Sequence, residues 1–236
     1  MNEYTYSDLC AIISRLRKEC PWDKKQTHES LCSSIIEEAY EFVDAVDRHA
    51  AHDMCEELGD VLMLTVLHSV IAEETGEFTN RDVIDRICRK MISRHSHVFG
   101  DDKVSCAEDT IALWDKNKGK ERGHVSPVDA LRSVPRSFPA LLRAQKMQSC
   151  VAKATTMTNN ENPGLSEYID ELSASISRLE SANTADTKEL TYIIGEILWQ
   201  ISNISRLHKI NAEFALTNTL ETFITRFETG SSHQAN

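Results

Sequence analysis

The chain has 236 residues, and its 37 Asp and Glu residues outnumber its 26 Lys and Arg residues, which gives a formal net charge of −11. Nucleic acids and anionic membrane surfaces are both bound by clusters of cations, so this composition disfavours either partner. A small anionic substrate could bind only where local positive charge offsets this net negative charge, and a bound divalent cation can provide that charge.

The spacing of apolar residues predicts helices throughout the chain. Gly and Pro, which interrupt helices, are scarce, with 8 and 5 residues respectively. In chain order the predicted helices cover residues 7–18, 28–48, 53–75, 80–97, 106–118, 139–153, 166–181, 187–207 and 212–228. The longest apolar stretch, 61–72, is too short to cross a bilayer and is typical of a buried helix. The sequence therefore predicts an all-α fold.

Breaks in this pattern predict two domains. A polar stretch with Gly and Pro separates a first domain at 1–120 from a second at 136–229, with 121–135 as the linker. Residues 155–164 are predicted to form a flexible loop, and 230–236 a disordered tail. Seven cysteines without a CxxC pair, and no N-terminal signal segment, predict reduced thiols in a cytoplasmic protein.

Two pairs of carboxylates stand out on neighbouring predicted helices. Glu38 and Glu41 are three residues apart and share one helical face, and Glu57 and Asp60 repeat that spacing on the next helix. A short connection should pack these helices antiparallel, so the four acids could converge, with Glu37 beside them as a fifth oxygen donor. Acids at this spacing are also common on solvated faces, but these lie beside the apolar stripes of their helices.

A cation would resolve the repulsion within such a group. Several carboxylates in a partly apolar site cannot all stay ionised without one, and all-oxygen ligands select Mg²⁺ or Mn²⁺. Redox di-iron bundles instead need Glu-x-x-His pairs on core helices, and the only such pair here is Glu121 with His124, in the predicted linker. The sequence therefore indicates a site for a hard divalent cation, of the type that handles phosphates.

Fixed positive charge for a phosphate substrate is available on other segments. Lys90 and Arg94 are four residues apart on one predicted helix, and Lys118 follows Trp114 by four residues on the next. Lys25 follows the turn that begins at 20–23. Each of these residues could instead have no part in binding, since most helical Lys and Arg residues are solvated and Trp often fills cores.

The order of these segments resembles the MazG-type nucleoside triphosphate pyrophosphohydrolases. The resemblance runs through LRKECPWDKKQTH, IIEEAYEFVDAVD, EELGDVLMLTVLH, KMISRHSHVF and WDKNK. The family pattern of EExxE, a spacer and ExxD is met by Glu37, Glu38, Glu41, Glu57 and Asp60. One departure is Ser96, where the family usually has Pro between two His residues.

The resemblance implies an all-α fold and Mg²⁺-dependent hydrolysis of a nucleoside triphosphate to the monophosphate and pyrophosphate. The implied metal ligands are Glu38, Glu41, Glu57 and Asp60. The implied substrate contacts are Lys90, Arg94, Trp114 and Lys118, to which we add Lys25. For the general base that activates water, Glu37 and Glu38 are both candidates.

The second half resembles a second MazG repeat, entered through SVPRSFPALLRAQKMQ, whose chemistry is degenerate. The positions corresponding to the acids and the Lys/Arg pair are Glu171 and Ala174, Ile193 and Glu196, and Thr222 and Arg226. We therefore expect two tandem MazG-like domains with four-helix-bundle packing, completed by homodimerisation, with catalysis in the first. Two alternatives stay open: a non-catalytic helical interaction protein, and an enzyme restricted to dUTP or damaged nucleotides.

Overall fold

The protein is helical wherever the structure, a computed structural model, describes it. The described residues are 3–122, 126–157, 163–183 and 185–232, and they contain helices and turns but no strand. The predicted all-α class is therefore confirmed. The chain divides into two compact units, Met1–Glu121 and Arg122–Asn236. Among the described residues, none of the helices combines the length and apolarity that crossing a bilayer requires.

The first unit is built around one long helix. Its helices are α1 (Tyr6–Glu19), α2 (Cys32–Asp47), α3 (Ala51–Thr75), α4 (Asn80–Arg94), α5 (Ser96–Phe99) and α6 (Ala107–Arg122), with a 3₁₀ turn at Asp23–Lys25. Helices α1, α2 and α4 all contact α3. Gly76, with φ of 73°, ends α3 in the left-handed conformation that glycine adopts without strain.

The apolar stripes of α1, α2 and α3 meet in one core. Its fully buried members are Ile13, Leu31, Leu64, Val66, Leu67 and Ile71. At the end of α1, the half-buried guanidinium of Arg17 donates to both carboxylate oxygens of Glu74 at 2.9 Å and to the backbone carbonyls of Asp23 and Gln26. This ion pair fixes the 3₁₀ turn against α1 and the C-terminal end of α3.

The predicted helix ends at residues 28 and 97 differ from the structure. Helix α2 begins at Cys32 rather than at residue 28, because Thr27 and Ser30 accept each other's backbone N–H groups and form a separate turn. Helix α4 ends at Arg94 rather than at residue 97, since His95 has φ of −105° and ψ of 49°. Its Nδ1 lies 2.7 Å from the Met91 carbonyl oxygen, and the short helix α5 follows.

The second unit repeats the use of a central helix. Its helices are α7 (Pro127–Arg132), α8 (Ala140–Met157), α9 (Leu165–Ser181), α10 (Thr187–Leu207) and α11 (Ala212–Ser232). Helix α10 contacts α8, α9 and α11. The buried amide of Gln145 bonds the Ile210 carbonyl and the Ala212 N–H, and Gln148 donates to the Trp199 carbonyl at 2.7 Å.

The connecting segments contain more helix than we expected. The stretch 121–135, predicted as a linker, holds the end of α6 and all of α7, which Ser126 caps by accepting the backbone N–H of Asp129. In the predicted loop 155–164, α8 continues to Met157, and residues 158–162 lie outside the described residues. In the predicted tail 230–236, α11 continues to Ser232, and 233–236 lie outside them.

Candidate active site

Three carboxylates from α2 and α3 converge at the surface of the first unit. One carboxylate oxygen from each of Glu38, Glu41 and Glu57 lies within 4.8 Å of the other two. Glu38 and Glu57 are half-buried, whereas Glu41 is exposed. The i, i+3 spacing puts Glu38 and Glu41 on one face of α2, and the packing of α2 on α3 brings Glu57 to them.

The electrostatics of this group favour an added cation. Burial raises the pKa of Glu38 above its usual value, and the charges of Asp60 and Glu41 raise it further. Burial likewise raises the pKa of Glu57, together with the charges of Glu41 and Glu38. Within the described residues, no Lys, Arg or His forms an ion pair with any of the three glutamates.

The two remaining predicted acids adjoin this group. Asp60 is half-buried one turn after Glu57 on α3, and Glu37 is exposed beside Glu38 on α2. Neither belongs to the set of three within 4.8 Å. Both nevertheless lie close enough for their charges to raise the pKa of Glu38.

This donor set fits a hard divalent cation. All of the grouped atoms are carboxylate oxygens, which Mg²⁺ and Mn²⁺ prefer, and their mutual repulsion would be relieved by positive charge. Three side chains also leave coordination positions for water or for phosphate oxygens, as is usual at Mg²⁺ sites.

A second group joins α4 to α6. The Arg94 guanidinium carbon lies 4.8 Å from the centre of the Trp114 ring, and the Lys118 Nζ lies 5.3 Å from it. Both separations are within the range of cation–π attraction. Three of the predicted substrate-binding residues are therefore brought together. Ser96, the departure from the family pattern, accepts a hydrogen bond from Asn117 at 2.8 Å and ties α5 to α6.

Sequence reasoning missed Glu121 as a member of this second group. Its Oε2 accepts hydrogen bonds from Nε and Nη2 of Arg94 at 2.9 and 2.7 Å, and Arg94 is buried. The signal was available, since Trp114, Lys118 and Glu121 are spaced i, i+4, i+7 on one helical face. His124, considered with Glu121 as a redox metal pair, lies outside the described residues.

The other two predicted cations are exposed and lie in different places. Lys90 is on α4, one turn before Arg94, and its charge contributes to the low pKa of Glu121. Lys25 is on the 3₁₀ turn that Arg17 holds beside Glu74. Glu74 follows Glu57 by 17 residues on α3, which places it about 25 Å along the helix. Within one chain, Lys25 therefore does not join the acid group, and its contact with substrate stays a prediction.

Among the described residues of the second unit, no comparable acid group occurs at the positions that the sequence predicts to be equivalent. Ile193 is fully buried, and Glu196 is bound by Arg178, whose Nη1 donates to its carboxylate at 2.7 Å. The Arg178 guanidinium also lies 5.8 Å from the centre of the Tyr192 ring. An internal cation thus neutralises the acid that remains there.

Comparison with known proteins gives the family. A family model described as the MazG nucleotide pyrophosphohydrolase domain matches residues 26–99, which include the acid group and the Lys90/Arg94 pair. The chain is also 34% identical over 222 residues to the nucleoside triphosphate pyrophosphohydrolase of Escherichia coli strain K12, with 93% of this chain and 84% of that protein covered. The chain belongs to the MazG family.

Two further relatives agree with this MazG assignment. The Thermotoga maritima protein named nucleoside triphosphate pyrophosphohydrolase/pyrophosphatase MazG is 35% identical over 229 residues, with 94% of this chain and 84% of that protein covered. The uncharacterized protein YabN of Bacillus subtilis is 39% identical over 226 residues, which are 95% of this chain but 46% of YabN. The chain thus spans about half the length of YabN. The family predicted from the sequence, one of hydrolases, is confirmed.

Proposed function

We propose that this MazG chain hydrolyses nucleoside triphosphates to the monophosphate and pyrophosphate in the presence of Mg²⁺, with Mn²⁺ able to replace it, and so controls the nucleotide pool. The observation that carries the proposal is the group of Glu38, Glu41 and Glu57, of which the first and last are half-buried, and which has no counter-ion among the described residues. The names of the relatives support the reaction.

The five acids divide between two roles in this proposal. Glu38, Glu41, Glu57 and Asp60 would hold the cation, which supplies Lewis-acid polarisation and charge neutralisation when bound. Glu37 is exposed and stands outside the group of three. Of the two candidates for general base we therefore favour Glu37, because its lone pairs are not used in holding the ion and can accept a proton from water.

The cationic group would act on the phosphates. Arg94 and Lys118 flank the Trp114 ring, and Lys90 lies one turn from Arg94 on α4. Fixed cations aimed at a transferring phosphoryl group stabilise the charge that develops in the transition state. The Trp114 ring offers an apolar face on which a nucleobase can stack.

Product analysis with purified protein, Mg²⁺ and a panel of NTPs and dNTPs tests the reaction. We expect release of pyrophosphate, and no turnover after chelation of the cation. Release of orthophosphate would refute the proposal. Turnover confined to dUTP or to damaged nucleotides would favour the narrow-specificity alternative, and no turnover with any substrate would favour the non-catalytic one.

Carboxylate-to-amide variants test the assignment of the site. Glu38→Gln should abolish turnover, whereas Glu56→Gln, a matched change at an exposed neighbouring acid, should retain it. Glu37→Gln should lower kcat and leave the affinity for Mg²⁺ unchanged. Full activity in Glu38→Gln would exclude the first unit as the active site.

We further propose that the enzyme is a cytoplasmic homodimer. Helices α2 and α3 carry large apolar side chains that are 41–53% exposed in the single chain, among them Ile36, Tyr40, Leu58 and Leu62. Contiguous exposed apolar residues of this kind are typical of an interface. All seven cysteines are free, which suits a reducing compartment. Sedimentation of a monomer at micromolar concentration would contradict the dimer.

A further inference from the structure

The guanidinium of Arg94 is held by two neighbours, the carboxylate of Glu121 and the ring of Trp114. Arg94 is only 7% exposed, and its Nε and Nη2 atoms both donate to Glu121 Oε2. The Trp114 ring lies 4.8 Å from the guanidinium carbon and limits its rotation from the side. A free arginine side chain has many rotamers, so these contacts remove most of its conformational freedom before any ligand binds.

Glu121 binds only one edge of the Arg94 guanidinium. Glu121 accepts from the edge formed by Nε and Nη2. Within the described part of the chain, Nη1 of Arg94 has no hydrogen-bond partner. A guanidinium has five N–H donors in a planar fork that matches a phosphate group. The edge that includes Nη1 can therefore donate to an anion while the contact with Glu121 persists.

Glu121 is itself held in place and ionised. Its Oε1 accepts a hydrogen bond from the Ser93 hydroxyl at 2.5 Å. The hydrogen bonds from Arg94 and then from Ser93 lower the pKa of Glu121 below its usual value. Since Ser93 and Arg94 are neighbours on α4, both oxygens of one carboxylate on α6 are bound by the same turn of α4.

We propose that Glu121 is a positioning residue, which holds Arg94 so that the free edge of the guanidinium meets the phosphates of the substrate. This inference rests on the proposed function, in which Arg94 contacts the triphosphate. Donors oriented before the reaction stabilise the transition state without reorganisation at the moment of bond breaking. The opposite role would be competition, in which Glu121 occupies Arg94 and must be displaced by the substrate. The two roles predict effects of opposite sign.

The test compares Glu121→Gln with Asp85→Asn in the full chain. Asp85 forms an exposed ion pair with Arg89 on the same helix α4, so Asp85→Asn controls for loss of a carboxylate–arginine pair. With pyrophosphate release as the readout, Glu121→Gln should lower kcat/KM by about 10- to 100-fold, chiefly through kcat. Asp85→Asn should leave both parameters unchanged. A rise in kcat/KM for Glu121→Gln would overturn the proposal in favour of competition.

Two further variants separate positioning from a general loss of structure. In an Arg94→Met background, Glu121→Gln should add no further loss, because a residue that acts through Arg94 has no effect without it. Additive losses would overturn the proposal. Ser93→Ala removes only the hydroxyl that orients Glu121, and it should produce a smaller loss in kcat, with normal stability, even if Glu121→Gln does not fold. Unchanged kcat in Ser93→Ala together with misfolding of Glu121→Gln would indicate a purely structural role.

A substrate-independent readout separates this proposal from the proposed function. With Trp22 and Trp199 replaced by Phe, fluorescence reports Trp114 alone, since the chain has 3 Trp residues. Release of Arg94 in Glu121→Gln should make Trp114 more accessible to acrylamide. Absence of pyrophosphate release by the wild-type protein would refute the function, whereas unchanged quenching of Trp114 would refute the role of Glu121.

Discussion

Replacing Glu57 by glutamine should remove most of the stability that Mg²⁺ adds to the first unit. Glu57 is the only member of the group of three that α3 supplies, so this change leaves the two glutamates of α2 and, of the four proposed ligands, Asp60. Glutamine keeps the volume of the side chain and one oxygen donor but loses the negative charge. The variant therefore tests whether the charges gathered between the two helices hold a cation.

The expected size of the effect follows from linkage between binding and folding. At a free Mg²⁺ concentration of about 100 times its Kd, binding to the folded state adds about 2.7 kcal/mol of stability. Loss of an outer-shell partner commonly weakens metal affinity by about 10- to 100-fold, and loss of a direct ligand should reach at least the upper value. At the same concentration, an affinity weaker by about 100-fold leaves only about 0.4 kcal/mol.

These free energies convert into a measurable change in melting temperature. For a unit the size of Met1–Glu121, a stability change of about 1 kcal/mol shifts Tm by roughly 4 °C. Mg²⁺ at about 100 times the wild-type Kd should therefore raise the Tm of the first unit by about 11 °C in the wild-type protein and by about 2 °C in the variant.

Tryptophan fluorescence can follow the first unit selectively. In a Trp199→Phe background the remaining tryptophans, Trp22 and Trp114, both lie in that unit. Thermal unfolding is recorded with Mg²⁺ and with chelator. Glu56→Gln is the matched control, because Glu56 is an exposed neighbour on α3 outside the group. An equal Mg²⁺-dependent rise in Glu57→Gln and the wild-type protein would refute this account of the site.

Three other predictions concern stability and metal stoichiometry. Burial, and then the charge of His28, lower the pKa of His68, so protonation of His68 favours the unfolded chain. The contribution of His68 to stability should be complete above about pH 6.5 and should fall below that pH. Thermal melts should show a smaller fall in the His68→Gln variant. Leu67→Ala should destabilise the first unit by about 2–5 kcal/mol in denaturant titrations, because Leu67 is 1% exposed in the core. A loss of stability under about 1 kcal/mol would contradict the tight packing of this side chain. Glu196→Gln should leave Mn²⁺ binding unchanged in titration, since Arg178 already neutralises Glu196. Loss of a metal site in this variant would show that the second unit also binds the ion.

Local sequence rules predicted the helices but not all of their ends. The scarcity of Gly and Pro and the periodic apolar residues suffice for the helical class, because they act over a few residues. The end of α4 depends on His95, whose ring nitrogen lies against the Met91 carbonyl. A histidine does not by itself stop a helix, so the break at that residue is not visible in the sequence. Helix α7 was predictable from Ser126, Pro127 and Asp129, which form an N-terminal cap.

The two groups of the candidate site differed in how far the sequence could predict them. Glu38 and Glu41 meet Glu57 because each helix has a fixed repeat and a short connection forces the helices together. The contact of Arg94 with Glu121 spans 27 residues, and that of Arg17 with Glu74 spans 57. No local rule pairs residues at such separations, since the pairing depends on how the helices fold back on one another.

The acids of the first unit and the residues at the predicted equivalent positions of the second unit differ in their charge balance, and this contrast argues for a ligand in the first. In the second unit Ile193 is buried and Glu196 is neutralised by Arg178, so the acid that remains at these positions has its own counter-ion. In the first unit Glu38 and Glu57 are half-buried with raised pKa values, and the described residues offer them no counter-ion. Like charges held together lower the stability of a fold. A purely structural unit has no need of that arrangement, whereas a unit that recruits a divalent cation and a polyphosphate does.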